Sequence, residues 1–155
     1  MIIKRFGTWA LRSTTLALTL PLLGLGMSAP ASAGTCTTQG CGGEVTNNSS
    51  MPIRITNCWS DSYGASEEGD KLGCVKSYNV NYWFAYNSDV ELPAHDESKW
   101  HFYYYDTDAF RAYRGCVTKY HYWGAPTSTA DRRGKASLWI KITNLDHVYI
   151  DSISC

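Results

Sequence analysis

The chain has 155 residues with 14 basic and 14 acidic side chains, so its formal net charge is zero. That balance argues against electrostatic nucleic-acid binding, which needs a strongly basic face. Six cysteines, eleven tyrosines and six tryptophans instead describe a small chain rich in cross-links and aromatic surface.

Residues 1–33 read as a secretory signal peptide. Lys4, Arg5 and Arg12 carry its charge, residues 16–26 are apolar, and Ala31-Ser32-Ala33 is a small-x-small cleavage signal. The apolar run is shorter than the roughly 20 residues that a spanning helix needs. No twin-arginine pair precedes it, which favours general export. Cleavage is expected after Ala33. It would remove three basic residues and leave 11 basic against 14 acidic, a net charge of −3. The remaining chain of about 120 residues is sized for one domain. It is expected to be extracellular, with no membrane segment.

Residues 34–43 are small, polar and glycine-rich, and are expected to form a flexible arm bearing Cys36 and Cys41 ahead of a single β domain over 44–155. An even number of cysteines in an exported chain reads as disulfides. Many pairings are compatible with the sequence. Proximity along the chain suggests Cys36 with Cys41 and Cys58 with Cys74, and Cys116 with Cys155 would tie the centre of the fold to the chain end. A metal site on Cys36 and Cys41 would need ligands that no nearby histidine supplies.

A short strand is expected at 44–46, followed by a turn at 47–50. The turn contains two glycosylation sequons, but its side chains are those of a tight turn. In residues 53–59, Ile53, Ile55 and Asn57 alternate with Arg54, Thr56 and Cys58, the period of a strand. Residues 60–73 read as a polar surface loop closed by Cys74; Glu67, Glu68 and Asp70 lack the spacing of a calcium loop. Residues 75–86 read as a strand that loses its alternation near Trp83. Residues 87–99, with Pro93 and several charges, read as a connection.

The aromatic stretch that follows is expected to form a central hairpin. Trp100, Phe102 and Tyr104 alternate with His101, Tyr103 and Tyr105, and Asp106-Thr107-Asp108 forms the turn. A second strand over 109–114 then puts Phe110 and Ala112 on one face, Arg111 and Tyr113 on the other. In 117–123, Tyr120 and Tyr122 oppose Lys119 and His121. Residues 124–136 read as a long turn. In 137–142, Leu138, Ile140 and Ile142 point inward and Trp139 outward. After a turn at 144–146, Val148, Ile150 and Ser152 continue one parity, while Ile153 and Cys155 adopt the other, which predicts a bulge near Asp151. There is no helical period and no internal repeat. The fold class expected is all-β: a small, disulfide-stapled antiparallel sandwich or open barrel.

Catalytic signals are sparse. Asp106 and Asp108 could close a turn, bind a cation or act as an acid–base pair. His95, His101, His121 and His147 are scattered, and only His101 and His121 are candidates for neighbours. There is no G-x-S-x-G stretch. The expectation is a chain with no enzymatic activity, cofactor or metal. Binding has the better support, since about one residue in six after the signal is aromatic. Tyrosine and tryptophan dominate interface energetics. The outward candidates are Trp83, Tyr103, Tyr105, Tyr113, Trp123 and Trp139, and their alternative is a second core layer. Exposed together, they would form a sugar platform or a protein interface, and an open strand edge would accept a partner's strand.

The order of features resembles small exported proteins of Streptomyces and relatives. These features are the signal, the cysteine-bearing arm, Asn48-Ser49 before Ile53-Arg54-Ile55, Asp106-Thr107-Asp108-Ala109-Phe110, Trp139-Ile140-Lys141-Ile142 and the final cysteine. The chain is similar in particular to the adaptor subunits of umbrella toxin particles. That resemblance implies a non-catalytic β protein in an antibacterial complex. It would join a lectin subunit, through that subunit's trypsin-like domain, to a large repeat-bearing toxin core, with strand donation as one means of attachment. The competing expectations are a free-standing secreted carbohydrate-binding or killer-toxin-like β protein, and a small hydrolase or protease inhibitor.

Overall fold

The computed structural model describes residues 41–80, 86–101 and 104–155, with backbone alone for 77–80. The strands are β1 (Glu44–Asn47), β2 (Ile53–Thr56), β3 (Ser66–Glu68), β4 (Ser77–Val80) and β5 (Ser88–Leu92), then β6 (Ala109–Ala112), β7 (Val117–Tyr122), β8 (Ser128–Asp131), β9 (Leu138–Lys141) and β10 (His147–Ser154). Two single-turn 3-10 helices, Asp61–Tyr63 and Ser98–Trp100, are the only helical pieces among the described residues. The fold is all-β, as the period-two patterns require.

The strands form two sheets. One has the order β1-β10-β7-β8, the other β3-β9-β6-β2-β5-β4. Pairing is antiparallel except for β1 with β10 and β4 with β5. Their facing sides enclose the main core, which includes Val45, Ile53, Ile55, Phe110, Ile142, Val148 and Ile150. This is the sandwich solution to burying one apolar face of each sheet. The register of β10 on β7 shifts between Ile150 and Ser152, at the bulge expected near Asp151. Disulfides join Cys58 to Cys74 and Cys116 to Cys155. The second ties the start of β7 to the end of β10, where Val117 is already paired with Ser154. Cys41 is also disulfide-bonded, and its expected partner Cys36 lies outside the described residues.

Three connections contain strands that their composition concealed. β5 lies in the stretch read as a connection. Its Ser88 and Asp89 are buried and polar: the Tyr104 hydroxyl meets Ser88 Oγ at 2.6 Å, and Arg54 pairs with Asp89 at 2.8 Å. Buried polar residues that are satisfied by partners leave no apolar alternation to read. β3 and β8 are short edge strands within the polar loop and the long turn. Charges on such strands protect an edge, and they look like loop residues.

The expected central hairpin is corrected. Trp100 ends a 3-10 helix and is 61% exposed, and Tyr104 enters the core outside any strand, with its N–H bonded to His101 O. Phe102 and Tyr103 lie outside the described residues. The centre of the larger sheet is instead β6 beside β2. Of the expected arm, Gly42 and Gly43 are buried. A Cβ on Gly42 would lie 2.3 Å from Asp106 Oδ1 and 2.5 Å from Asp106 Cα, so only glycine fits.

Candidate binding surface

The Asp106-Thr107-Asp108 segment is a buried seam. The Thr107 N–H donates to Gly43 O, the Asp108 N–H to Thr56 O, and the Ile142 N–H to Asp108 O. These bonds tie the segment to the residues before β1, to the end of β2 and to the end of β9. Burial, then the neighbouring Asp106, pushes the Asp108 carboxyl up to about 7, with Lys141 opposing. No cluster of three or more His, Cys, Asp or Glu side chains suited to a metal occurs among the described residues.

The histidines do not converge. His95 is exposed in a turn at φ 60°. His101 Nε2 lies 2.8 Å from Asp96. His121 and His147 both stack on the Tyr149 ring, at 4.9 Å and 4.4 Å between ring centroids, without sharing a polar partner. His121 Nδ1 meets Asp151 Oδ2 at 3.0 Å. His147 Nε2 meets Thr46 Oγ1 at 2.8 Å, and its Nδ1 lies 3.5 Å from Glu44 Oε2. Burial, aided by Lys99, lowers the His147 pKa against the opposing pull of Glu44 and Glu97, so this imidazole is neutral at neutral pH.

Of the aromatic candidates, Trp123 is 82% exposed. Tyr105 and Tyr113 are half-buried, and Tyr113 packs on the core edge beside the Arg111 guanidinium. Trp83 and Tyr103 lie outside the described residues. Trp139 is corrected: it is 0% exposed. It does point away from the main core, but the segment from Cys58 to Cys74 folds over that side. Leu72, Val75, Ala109 and the Cys58 side chain enclose the ring, with Trp59 and Tyr63 packed outside them. Arg111 covers the ring with its guanidinium 5.5 Å from the centroid and donates to Asp70 O.

Two depressions flank the Thr143–Asp146 turn. The larger, about 480 Å³, lies where β3 and β8, the edge strands of the two sheets, leave one side of the sandwich open. Tyr120, Tyr122, Leu138 and Ile140 line its floor, Ser66 and Thr129 lie along its sides, and Lys141 and Asp146 are at one end. Among the described residues each of these edge strands is paired on one side only. Burial pushes Tyr122 up to about 12, with Tyr120 and Asp146 adding to the effect, so its phenol stays a neutral donor, here to Lys141 O. The opposite side of the sandwich is closed. There the Asn47 N–H donates to Asp96 O and the Val45 N–H to Ser98 Oγ, which covers the edge of β1.

The smaller depression, about 250 Å³, is lined by Gly42, Glu44, Trp123, Asn144, Leu145, Asp146 and His147. The sequence placed Trp123 outward and Tyr120 and Tyr122 together on one face, and named His147 only as one of four scattered histidines; it did not single out Glu44, Leu145 or Asp146. A lone leucine inside the Asn144-Leu145-Asp146 turn was the available signal, since a turn tip cannot bury it. Compared with known proteins, the chain matches no family model, no curated sequence and no solved structure.

Proposed function

We propose that the chain is a secreted, non-catalytic adaptor that holds an extended segment of another polypeptide in the open side of its sandwich. The observation that carries this reading is the tyrosine-floored cleft bounded by two edge strands. A strand laid along β3 or β8 would satisfy unpaired backbone groups, and its alternate side chains would enter the cleft. The half-buried tyrosines would supply apolar area for those side chains. Disulfides in all described cysteines suit an oxidising, extracellular setting. The partners that the resemblance implies, a lectin subunit with a trypsin-like domain and a large repeat-bearing toxin subunit, are the polypeptides proposed for this role in an antibacterial particle.

The test is affinity purification of the tagged full-length chain from the medium of its native producer, with co-purifying polypeptides identified by mass spectrometry. Native protein should bring down at least one larger secreted polypeptide. Ser66→Arg, which places a long side chain at the cleft from an exposed position, should lose it while retaining the native melting temperature. A strictly monomeric, partner-free native protein would remove the basis of the proposal.

A further inference from the structure

We propose that the depression beside Trp123 is a second, independent site, and that its ligand is a neutral pyranose sugar. Trp123 follows β7, and its position is set by the backbone: its N–H donates to His147 O at 2.8 Å, and the Ala125 N–H closes the turn onto Tyr122 O. The indole is nevertheless 82% exposed, and the neighbouring Leu145 is 98% exposed. An aromatic side chain held in water on a fixed stretch of backbone, beside a depression, is a platform rather than a packing element.

The groups around the platform fit sugar hydroxyls. Asp146 Oδ2 accepts from the Thr143 N–H and hydroxyl, which fixes the carboxylate and leaves Oδ1 without a protein donor among the described residues. Glu44 is held by its N–H on Asp146 O, and its carboxylate lies against His147. Asn144 adds an amide that both donates and accepts. The C–H face of a pyranose would stack on the indole while its hydroxyls donate to the carboxylates. The two carboxylates disfavour uronic and other acidic sugars by like-charge repulsion.

Size and charge separate this reading from a protein interface. A stable protein contact buries about 800 Å² per partner, and its core is depleted of charged groups. Here about 250 Å³ is walled by two carboxylates, an amide and an imidazole around two apolar side chains. That matches one or two sugar rings.

The experiment titrates the full secreted chain with oligomers of β-1,4-linked glucose and N-acetylglucosamine and with mannan fragments, using polygalacturonate fragments as the acidic control. Binding is read by calorimetry and by shifts of the Trp123 indole N–H resonance. At least one neutral series should bind and move that resonance, and the acidic series should not. Trp123→Ala should weaken binding about tenfold or more. Trp123→Phe should weaken it less, and both variants should keep the native melting temperature. Ser66→Arg, at the other depression, should leave sugar binding unchanged, so the site and the adaptor role can fail separately. Absence of binding to every neutral series overturns the proposal, as does binding that survives Trp123→Ala. Loss of a co-purifying polypeptide on Trp123→Ala, without any sugar binding, would reassign the surface to a protein partner and overturn it too.

Discussion

Asp108 illustrates how burial changes the role of a residue. A carboxyl beside a second carboxyl in a bend resembles a cation site, yet both are buried, and the backbone around them joins β2, β9 and the approach to β1. The Asp108 carboxyl is raised from 3.8 to about 7 on folding. The folded state therefore holds this proton more tightly than the unfolded chain does. The stabilising contribution is complete below about pH 4 and is lost as pH rises through about 7. Asp108→Asn, which stays neutral throughout, should melt higher than the native chain at about pH 8, and the difference should vanish toward about pH 4. Its ceiling is on the order of 4 kcal/mol. Melting curves across that range check the sign, and a difference that grows on acidification would refute the assignment. Trp139 gives a second case. As a surface residue it could be truncated at a cost within about 0.5 kcal/mol. Enclosed as it is by Leu72, Val75 and the Cys58 side chain, Trp139→Ala should cost about 3–5 kcal/mol in chemical denaturation.

At the scale of elements, the segment between Cys58 and Cys74 does more than connect strands. It contributes β3 to the sheet edge and a satellite core over β9. The Trp59 and Tyr63 rings pack edge to face at 5.4 Å, and the Cys74 N–H donates to the Tyr63 hydroxyl. The bridge spans 16 residues, for which the chain-entropy estimate is about 3 kcal/mol. Replacing Cys58 and Cys74 together by serine should lower stability by about that amount. Amide exchange over residues 57–75 should accelerate while β7 and β10, held by Cys116–Cys155, stay protected. Equal protection in both regions would show that packing alone holds the segment. The same element argues for the adaptor cleft, because β3 forms one of its two sides; the Glu68 carboxylate pairs with Arg132, just past β8, and bridges the opening at that end, so the cleft is entered beside Ser66.

At the scale of the molecule, the two depressions have different origins. The larger arises because the sandwich is closed along β1 and open between β3 and β8. The smaller arises where the ends of β7 and β9 and the starts of β1 and β10 meet, so its lining comes from three stretches of the chain, 42–44, 123 and 144–147. Local pattern already specified β2, β7, β9, the bulge in β10 and the sidedness of Tyr120 and Tyr122, because alternation in one strand reports which side chains share a face. It also indicated Cys58 with Cys74 and the all-β class. Which face a distant segment covers, which strands stand at an edge, and that Glu44, Asp146 and His147 gather beside Trp123 were settled by pairing between residues up to about a hundred positions apart, such as Thr46 with His147. Such contacts leave no periodic trace along the chain, since each depends on closing a long loop whose ends carry no mutual signal.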